Sequence, residues 1–542
     1  MKLNSKTMYP DKTNPSFAWR SGWSAGVILI SMISCIAGNT KSSKPNFIIL
    51  ISDDQRWDQV SYPGNQIIPE LKSPNLDKLA SQGVYFTNAF VTTPICAVSR
   101  ASIMTGRYAS SHQMNHFNTP LSEEALLHSY PALLKKAGYR TGILGKWGMG
   151  MAGTEKIFDM CNAWADQGAY FLDSDSGKIH NSEWLAIKAR EFFNSGKPDQ
   201  PFCLTICFKA PHHPYQPDVR DSSLFENAYI PERMSDTPEA YAGMSAHVME
   251  KSLNRWCYFD ERKDEKTKSA FEKNFLRCVV GLDRSVGKIM EAIHELNLDE
   301  NTVVIFLSDN GYLWGEHGLG GKWLLYEESI RIPMIIRWPG MPEKYRGKLL
   351  KQLVLNIDVA PTLLELAGIK PPQIMDGKSL VPVIKHPESE FRKDFFMEHV
   401  GIIQVENPIP DSYGIRTKDW KYIRYINVEP ETEELYNLRK DPLEMINLID
   451  DKNYTGVKDD LDKKLKHYLS SVKTPNIDDF SSKAIIFRNA VSVCPVCTPY
   501  RASLMTGRYP TSTGMFLNDL YLPEKELCMA EIYKSAGYKT AY

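Results

Sequence analysis

The chain has 542 residues, with 64 Lys plus Arg against 65 Asp plus Glu and a formal charge of −1. That balance points to no nucleic acid and no anionic membrane surface as a partner. Hydrophobic residues at 43% and charged residues at 24% exclude wholesale disorder, and ten Cys in so long a chain exclude a disulfide scaffold.

Residues 1–44 read as a leader and linker. Lys2, Lys6, Lys12 and Arg20 precede an apolar stretch from Ala25 to Gly38, short for a membrane span and suited to a signal-peptide core. Two readings stay open: a lipoprotein leader with Cys35 as the lipidated residue, or plain secretory cleavage near Gly38. Both imply export to the periplasm or cell surface, with membrane contact only through a lipid on Cys35.

Five near-continuous apolar runs follow, as expected of strands covered on both faces: Asn46–Ser52, Tyr139–Leu144, Pro201–Phe208, Thr302–Ser308 and Pro333–Trp338. Helical patterns such as Ser73–Ser81 and Phe271–Leu296 lie between them. The alternation predicts an α/β fold with a largely parallel central sheet. Ligands of such sheets sit beyond the carboxyl ends of the strands. Four of those ends are polar: Asp53-Asp54-Gln55-Arg56, Gly145-Lys146-Trp147, Lys209-Ala210-Pro211-His212-His213 and Asp309-Asn310-Gly311. Singly each is a solvated loop; together they predict one site. From Phe391 the pattern changes. Tyr413–Tyr425 alternates like exposed antiparallel strands, and Leu461–Leu469 is a charged amphipathic helix, so residues 391–473 read as a smaller α+β subdomain.

Residues 475–542 partly repeat residues 74–141. Arg100-Ala101-Ser102-Ile103-Met104-Thr105-Gly106-Arg107-Tyr108 reappears as Arg501-Ala502-Ser503-Leu504-Met505-Thr506-Gly507-Arg508-Tyr509. The copy lacks a strand like that at Asn46 and stops before a Gly-Lys-Trp. Cys494-Pro495-Val496-Cys497 is a lone CxxC, weak for zinc and better explained by the copy. The resulting division is 1–44, 45–390, 391–473 and 474–542.

Cys96-Ala97-Val98-Ser99-Arg100-Ala101-Ser102, then Thr105-Gly106-Arg107, resembles the type I sulfatase signature. Gly315-Glu316-His317-Gly318-Leu319, Gly321-Lys322, Tyr326-Glu327-Glu328 and Leu435-Tyr436-Asn437-Leu438 extend the resemblance from about Asn46 to Leu448. It implies the alkaline-phosphatase-like α/β sandwich and hydrolysis of sulfate esters, here of a sulfated carbohydrate. It also implies that Cys96 becomes formylglycine through a maturation enzyme, and that the hydrated aldehyde attacks sulfur. Asp53, Asp54, Asp309 and Asn310 would then bind one divalent cation. Four oxygen ligands suit a hard ion, Ca²⁺ before Mg²⁺. Arg100, Lys146 and Lys322 would hold the sulfate or the diol, and His212 would protonate the leaving oxygen. His112, His213 and His317 are weaker candidates for substrate contact. Two positions depart from the family pattern. Gly148 stands where a His usually follows the lysine, and Val98 where Pro or Ala is usual. The alternatives are a phosphodiesterase or phosphonate hydrolase of the same superfamily, and an inactive sulfatase-like binder.

Overall fold

The computed structural model describes residues 44–117, 119–174, 177–250, 252–401, 408–471, 497–513, 522–523, 526–537 and 539. The leader with Cys35, and Cys494 of the CxxC, lie outside the described residues.

In chain order the elements that frame the site are β1 (Asn46–Ser52), α1 (Pro74–Gln82), β2 (Val84–Phe86), α2 (Cys96–Thr105), β3 (Arg140–Lys146), β4 (Met160–Trp164), α3 (Asn181–Asn194), β5 (Phe202–Cys207), α4 (Leu253–Glu261), α5 (Glu265–Glu295), β6 (Thr302–Ser308), β7 (Met334–Arg337), β8 (Lys348–Leu350) and α6 (Val359–Leu366). The C-terminal part holds β9 (Asp394–His399), β10 (Asp411–Thr417), β11 (Trp420–Ile426), β12 (Thr432–Asn437) and α7 (Thr455–Ser471), and α8 (Cys497–Thr506) follows.

The eight strands β8-β2-β7-β6-β1-β5-β3-β4 form one sheet in that order. All five apolar runs became strands. β1 lies at the centre, parallel to β5 and β6. β7 runs against both its neighbours, β6 and β2, a direction that apolarity alone does not encode. The near-continuous hydrophobicity has a direct cause. Phe47, Ile49 and Ile51 of β1 enter one core, while Ile48 and Leu50 enter a second on the opposite face. β6 divides likewise, Val303, Ile305 and Leu307 against Val304 and Phe306. Side chains of α2 and α6 fill the first core (Val98, Ala101, Leu363), and those of α1, α3 and α5 fill the second (Leu79, Leu185, Leu282). The architecture is therefore the expected α/β sandwich.

β9–β12 form an antiparallel sheet of their own. These strands are not exposed, contrary to the expectation from Tyr413–Tyr425. Phe395 packs on Phe90 at 5.0 Å between ring centres, and the next residue, Phe396, on Tyr468 of α7 at 6.0 Å. One face covers the catalytic layer and the other lies under α7, so the alternating polar positions are also enclosed. Among them Lys421, fully buried, pairs with Glu327 at 3.0 Å and Glu444 at 2.6 Å, and Arg416 pairs with Glu327 at 3.2 Å. These pairs tie the subdomain to the segment that follows Lys322. No described helix is long and apolar enough to cross a membrane.

Candidate active site

Three parallel strands end at one point. β1 runs into Asp53 and Asp54, β6 into Asp309 and Asn310, and β3 closes with Lys146. Two neighbouring carboxylates can face one spot only where the alternation of a strand has stopped. It has: Asp54 sits at φ 67°, the left-handed region that a non-glycine residue seldom enters. The Asp309 backbone N–H donates to the Ser52 carbonyl at 3.0 Å and that of Asp54 to Asp309 Oδ1 at 3.2 Å, which locks the two strand ends together. Asn310 Nδ2 donates to Asp54 Oδ1 at 2.6 Å. Gly145, at φ 88°, is required by close approach. A Cβ there would lie 2.1 Å from the Cys207 carbonyl oxygen.

Asp53, Asp54 and Asp309 each offer an oxygen within 4.8 Å of the others, and all three are buried. Asp53 Oδ1 and Asn310 Oδ1 have no hydrogen-bond partner among the described residues. A ring of buried anionic oxygens with two orphaned acceptors fits a hard divalent cation.

Cations surround this ring. Arg100 donates from Nε to Asp309 Oδ2 at 2.9 Å, and its Nη2 lies 3.4 Å from Asp53 Oδ2. Lys146 pairs with Asp53, and Lys322 with Asp54. Burial alone would raise the Asp53 carboxyl, but Lys146, His212, Arg100 and Lys322 outweigh it and hold it well below the usual range. Asp309 moves the other way, to about 7, through burial and then the charge of Asp53. Three carboxylates face three side-chain cations, so a divalent ion would leave the site positive by two charges. That field suits a sulfate ester.

Cys96 opens α2, whose ten residues are all buried. Its Sγ is 3.7 Å from Lys146 Nζ, and Arg100 follows one turn later on the same face. His212 places Nε2 3.7 Å from Asp54 Oδ2. Its Nδ1 donates to the His213 carbonyl at 2.8 Å, which leaves Nε2 as the atom facing the site. Burial, then Lys146, pull His212 down to about 3.

The remaining histidines are placed differently. His213 is exposed beside the cluster. His112 is buried, with Nε2 3.0 Å from Ser102 Oγ and Nδ1 accepting the Met114 backbone N–H at 3.2 Å. His317 is fully buried, stacked on Tyr326 at 4.8 Å. The structure thus brings neither His112 nor His317 to the cluster; protein groups enclose both.

Comparison with known proteins decides the family. The sulfatase family profile matches residues 45–369 and 457–542, and the profile of the N-sulphoglucosamine sulphohydrolase C-terminal region matches residues 315–471. The chain belongs to the sulfatase family. It is by that membership a sulfuric ester hydrolase. Among its relatives, an N-acetylglucosamine-6-O-sulfatase of Bacteroides thetaiotaomicron is 26% identical, the match covering 85% of this chain and 92% of the relative. An ulvan-active sulfatase of Formosa agariphila is 27% identical over 84% and 88%. The fold of BT4656, solved in complex with its substrate D-glucosamine-2-N,6-O-disulfate, matches with a TM-score of 0.70 at 24% identity, covering 80% of this chain and 99% of that one.

Two features of this sulfatase had no signal in the sequence. Asn254 of α4, fully buried, donates from Nδ2 to the Gly320 carbonyl at 2.8 Å and the Lys322 carbonyl at 2.6 Å. It holds the backbone that delivers Lys322 from 68 residues away in sequence. Tyr170 likewise donates to the His212 carbonyl at 2.5 Å. Neither residue lies in a recognisable motif, because each acts on a main-chain oxygen that any residue could present.

Proposed function

We propose that this sulfatase is exported and removes sulfate from a sulfated carbohydrate of polysaccharide or glycosaminoglycan type. The observation that carries the reading is the convergence of Cys96, Arg100, Lys146, His212 and Lys322 on a buried Asp53–Asp54–Asp309–Asn310 ring. The carbohydrate is suggested by the relatives, which include the hexosamine and ulvan sulfatases. Export is suggested by the basic and apolar leader.

Asp53, Asp54, Asp309 and Asn310 would hold a hard divalent cation, Ca²⁺ before Mg²⁺, which would supply positive charge at a sulfate oxygen. Formylglycine at position 96, formed by a maturation enzyme, would supply the attacking hydroxyl. This chain's own residues do the rest. The N-terminal amides of α2 favour an anion at Cys96. Arg100 fixes Asp53 and Asp309 in place, and its buried charge stabilises the transferring group. Lys146, beside Sγ and on Asp53, and Lys322, on Asp54, both face the same cluster. His212 presents Nε2 to the leaving oxygen; because Nδ1 carries the proton of the neutral ring, Nε2 would first have to take up a proton, beside Asp54, to deliver one there.

Turnover of matched aryl sulfate and aryl phosphate esters, after expression with a maturation enzyme, tests the reaction class. Preference for the sulfate is expected, with N-acetylglucosamine 6-sulfate among the sugars cleaved. Preference for the phosphate or a phosphonate ester would move the chain to the other hydrolases that share this fold.

A further inference from the structure

Among the described residues a second set of three potential metal ligands shares Asp53 with the acidic ring. Asp53, Cys96 and His212 each offer an atom within 4.8 Å of the other two. These donors differ in kind from the ring: one sulfur, one imidazole nitrogen and one carboxylate oxygen. Before maturation position 96 carries a thiol, so the set belongs to the unconverted chain. Its members are tied together by the backbone. The Asp53 N–H donates to the Ala210 carbonyl at 3.2 Å, and the His212 N–H to the Lys209 carbonyl at 2.9 Å. Cys96 is the first residue of α2, packed against the same strand ends.

Each donor is prepared for a metal. His212 Nδ1 donates to the His213 carbonyl at 2.8 Å, so the neutral ring turns the lone pair of Nε2 to the site. A histidine held through its other nitrogen by a main-chain carbonyl is the usual arrangement of a ligating imidazole. Lys146 and Arg100 both engage Oδ2 of Asp53, and Oδ1 has no partner among the described residues. Cys96 Sγ meets Lys146 Nζ at 3.7 Å, a long contact that a metal–sulfur bond of about 2.3 Å would displace. A mixed sulfur, nitrogen and oxygen set suits zinc, which takes four tetrahedral ligands and here leaves the fourth position to water. Ligands on one zinc stand about 3.4–3.6 Å apart, so these pairs have to close by at most about 1.4 Å. The His212 side chain, 16% exposed, gives the ion a way in. Calcium seeks about six to eight oxygens and gains nothing from the sulfur.

We infer that the chain with an unconverted Cys96 holds one zinc ion on Cys96 Sγ, His212 Nε2 and Asp53 Oδ1, and that conversion of Cys96 abolishes this site in favour of the hard-cation ring. On binding, the S–H bond gives way to an S–Zn bond and the proton leaves to water. The two ions are held in turn and not together, since both sets need Asp53. With the thiolate, four anions face Arg100, Lys146 and Lys322, and a dication leaves the site positive by one charge instead of two. The inference goes beyond the sulfatase reading and needs no turnover.

The test uses the full chain expressed without a maturation enzyme, with the thiol at position 96 confirmed by peptide mass. It is stripped of metal and titrated with Co²⁺, a spectroscopic stand-in for zinc. One equivalent should give a thiolate-to-cobalt charge-transfer band and the visible bands of a tetrahedral ion, and Zn²⁺ should bleach both. Zn²⁺ should also raise the melting temperature of this chain. In Cys96→Ser the charge-transfer band should vanish. In His212→Ala the affinity for Zn²⁺ should fall by at least about 100-fold, more than loss of a group outside the ligand shell costs. The matured chain should show no charge-transfer band. A band that survives in Cys96→Ser places the ion on other cysteines. Cobalt bound without the band places it in the acidic ring, and an unchanged affinity in His212→Ala removes the histidine. Each of these three results overturns the site. A matured chain that cleaves sulfate esters, while its thiol form binds no cobalt, overturns the zinc site alone. A thiol form that binds zinc as described, while the matured chain cleaves no sulfate ester, upholds the zinc site and overturns the sulfatase reading alone.

Discussion

At the scale of single residues, the site is an exercise in placing like charges together. Asp53, Asp54 and Asp309 tolerate one another because Arg100, Lys146 and Lys322 each occupy one of their oxygens. Such pairing leaves little slack, so a change of one charge should act on chemistry before it acts on folding. Asp54→Asn keeps an oxygen for Lys322 and keeps the side-chain shape, but removes an anionic ligand of the cation. Sulfatase activity should fall by at least about 100-fold, with the melting temperature nearly unchanged. Chelation should reproduce the loss in the unaltered protein and Ca²⁺ should restore it. Full activity both in the variant and after chelation would refute the cation assignment. Asp53, Asp54 and Asp309 were legible in the sequence because each follows a hydrophobic run directly. Asn254 was not, since only the folded chain brings α4 against the Lys322 backbone.

At the scale of elements, the sandwich is tied together by polar contacts between helices as well as by its cores. Asp283 of α5 accepts the Asn75 N–H at 3.2 Å, the Leu76 N–H at 2.8 Å and Asn75 Nδ2 at 2.8 Å. It thereby caps α1, whose own Ser73 makes no side-chain cap. Asp283→Ala strands those donors and should cost about 1–3 kcal/mol. Amide exchange over Pro74–Gln82 should accelerate while β1 stays protected, and uniform protection in the variant would deny the capping role. A second contact carries a pH signature. Glu261, at the end of α4, accepts the Tyr312 hydroxyl at 2.5 Å. Burial raises its carboxyl to about 7 from 4.5. Between those values the folded chain holds a proton that the unfolded chain has released, so folding loses stability as pH rises through that window. Glu261→Gln removes that loss. The variant's melting temperature, relative to the unaltered protein, should be higher at about pH 8 than at about pH 5. A difference that does not change with pH would show that Glu261 does not titrate there.

At the scale of the whole molecule, the signature occurs twice with opposite outcomes. Cys497–Thr506 forms the same ten-residue helix as Cys96–Thr105, and Gly507 ends it at φ 67° as Gly106 does. Arg100 is fully buried against two carboxylates, whereas Arg501 is exposed and Leu504 is 58% exposed. Among the described residues no strand pairs beside the second helix to deliver acids and lysines to its first turn. We therefore expect residues 474–542 to be catalytically inert, and a chain ending at Lys473 to keep its turnover. Loss of activity in that shortened chain, with its melting temperature preserved, would give the copy a role.

The two copies separate what the sequence determined by itself from what tertiary structure decided. Local sequence set the helix, its glycine stop, the apolar strands and the acids at their ends, because hydrophobic burial and backbone preference act over a few residues. It also carried the family signature that named the chemistry. It did not set the direction of β7, the enclosure of β10 and β11, or the withdrawal of His112 and His317. Each of those depends on which surfaces meet across hundreds of residues. A histidine or a carboxyl group takes its role from the partners that burial leaves it, and those partners exist only in the folded chain.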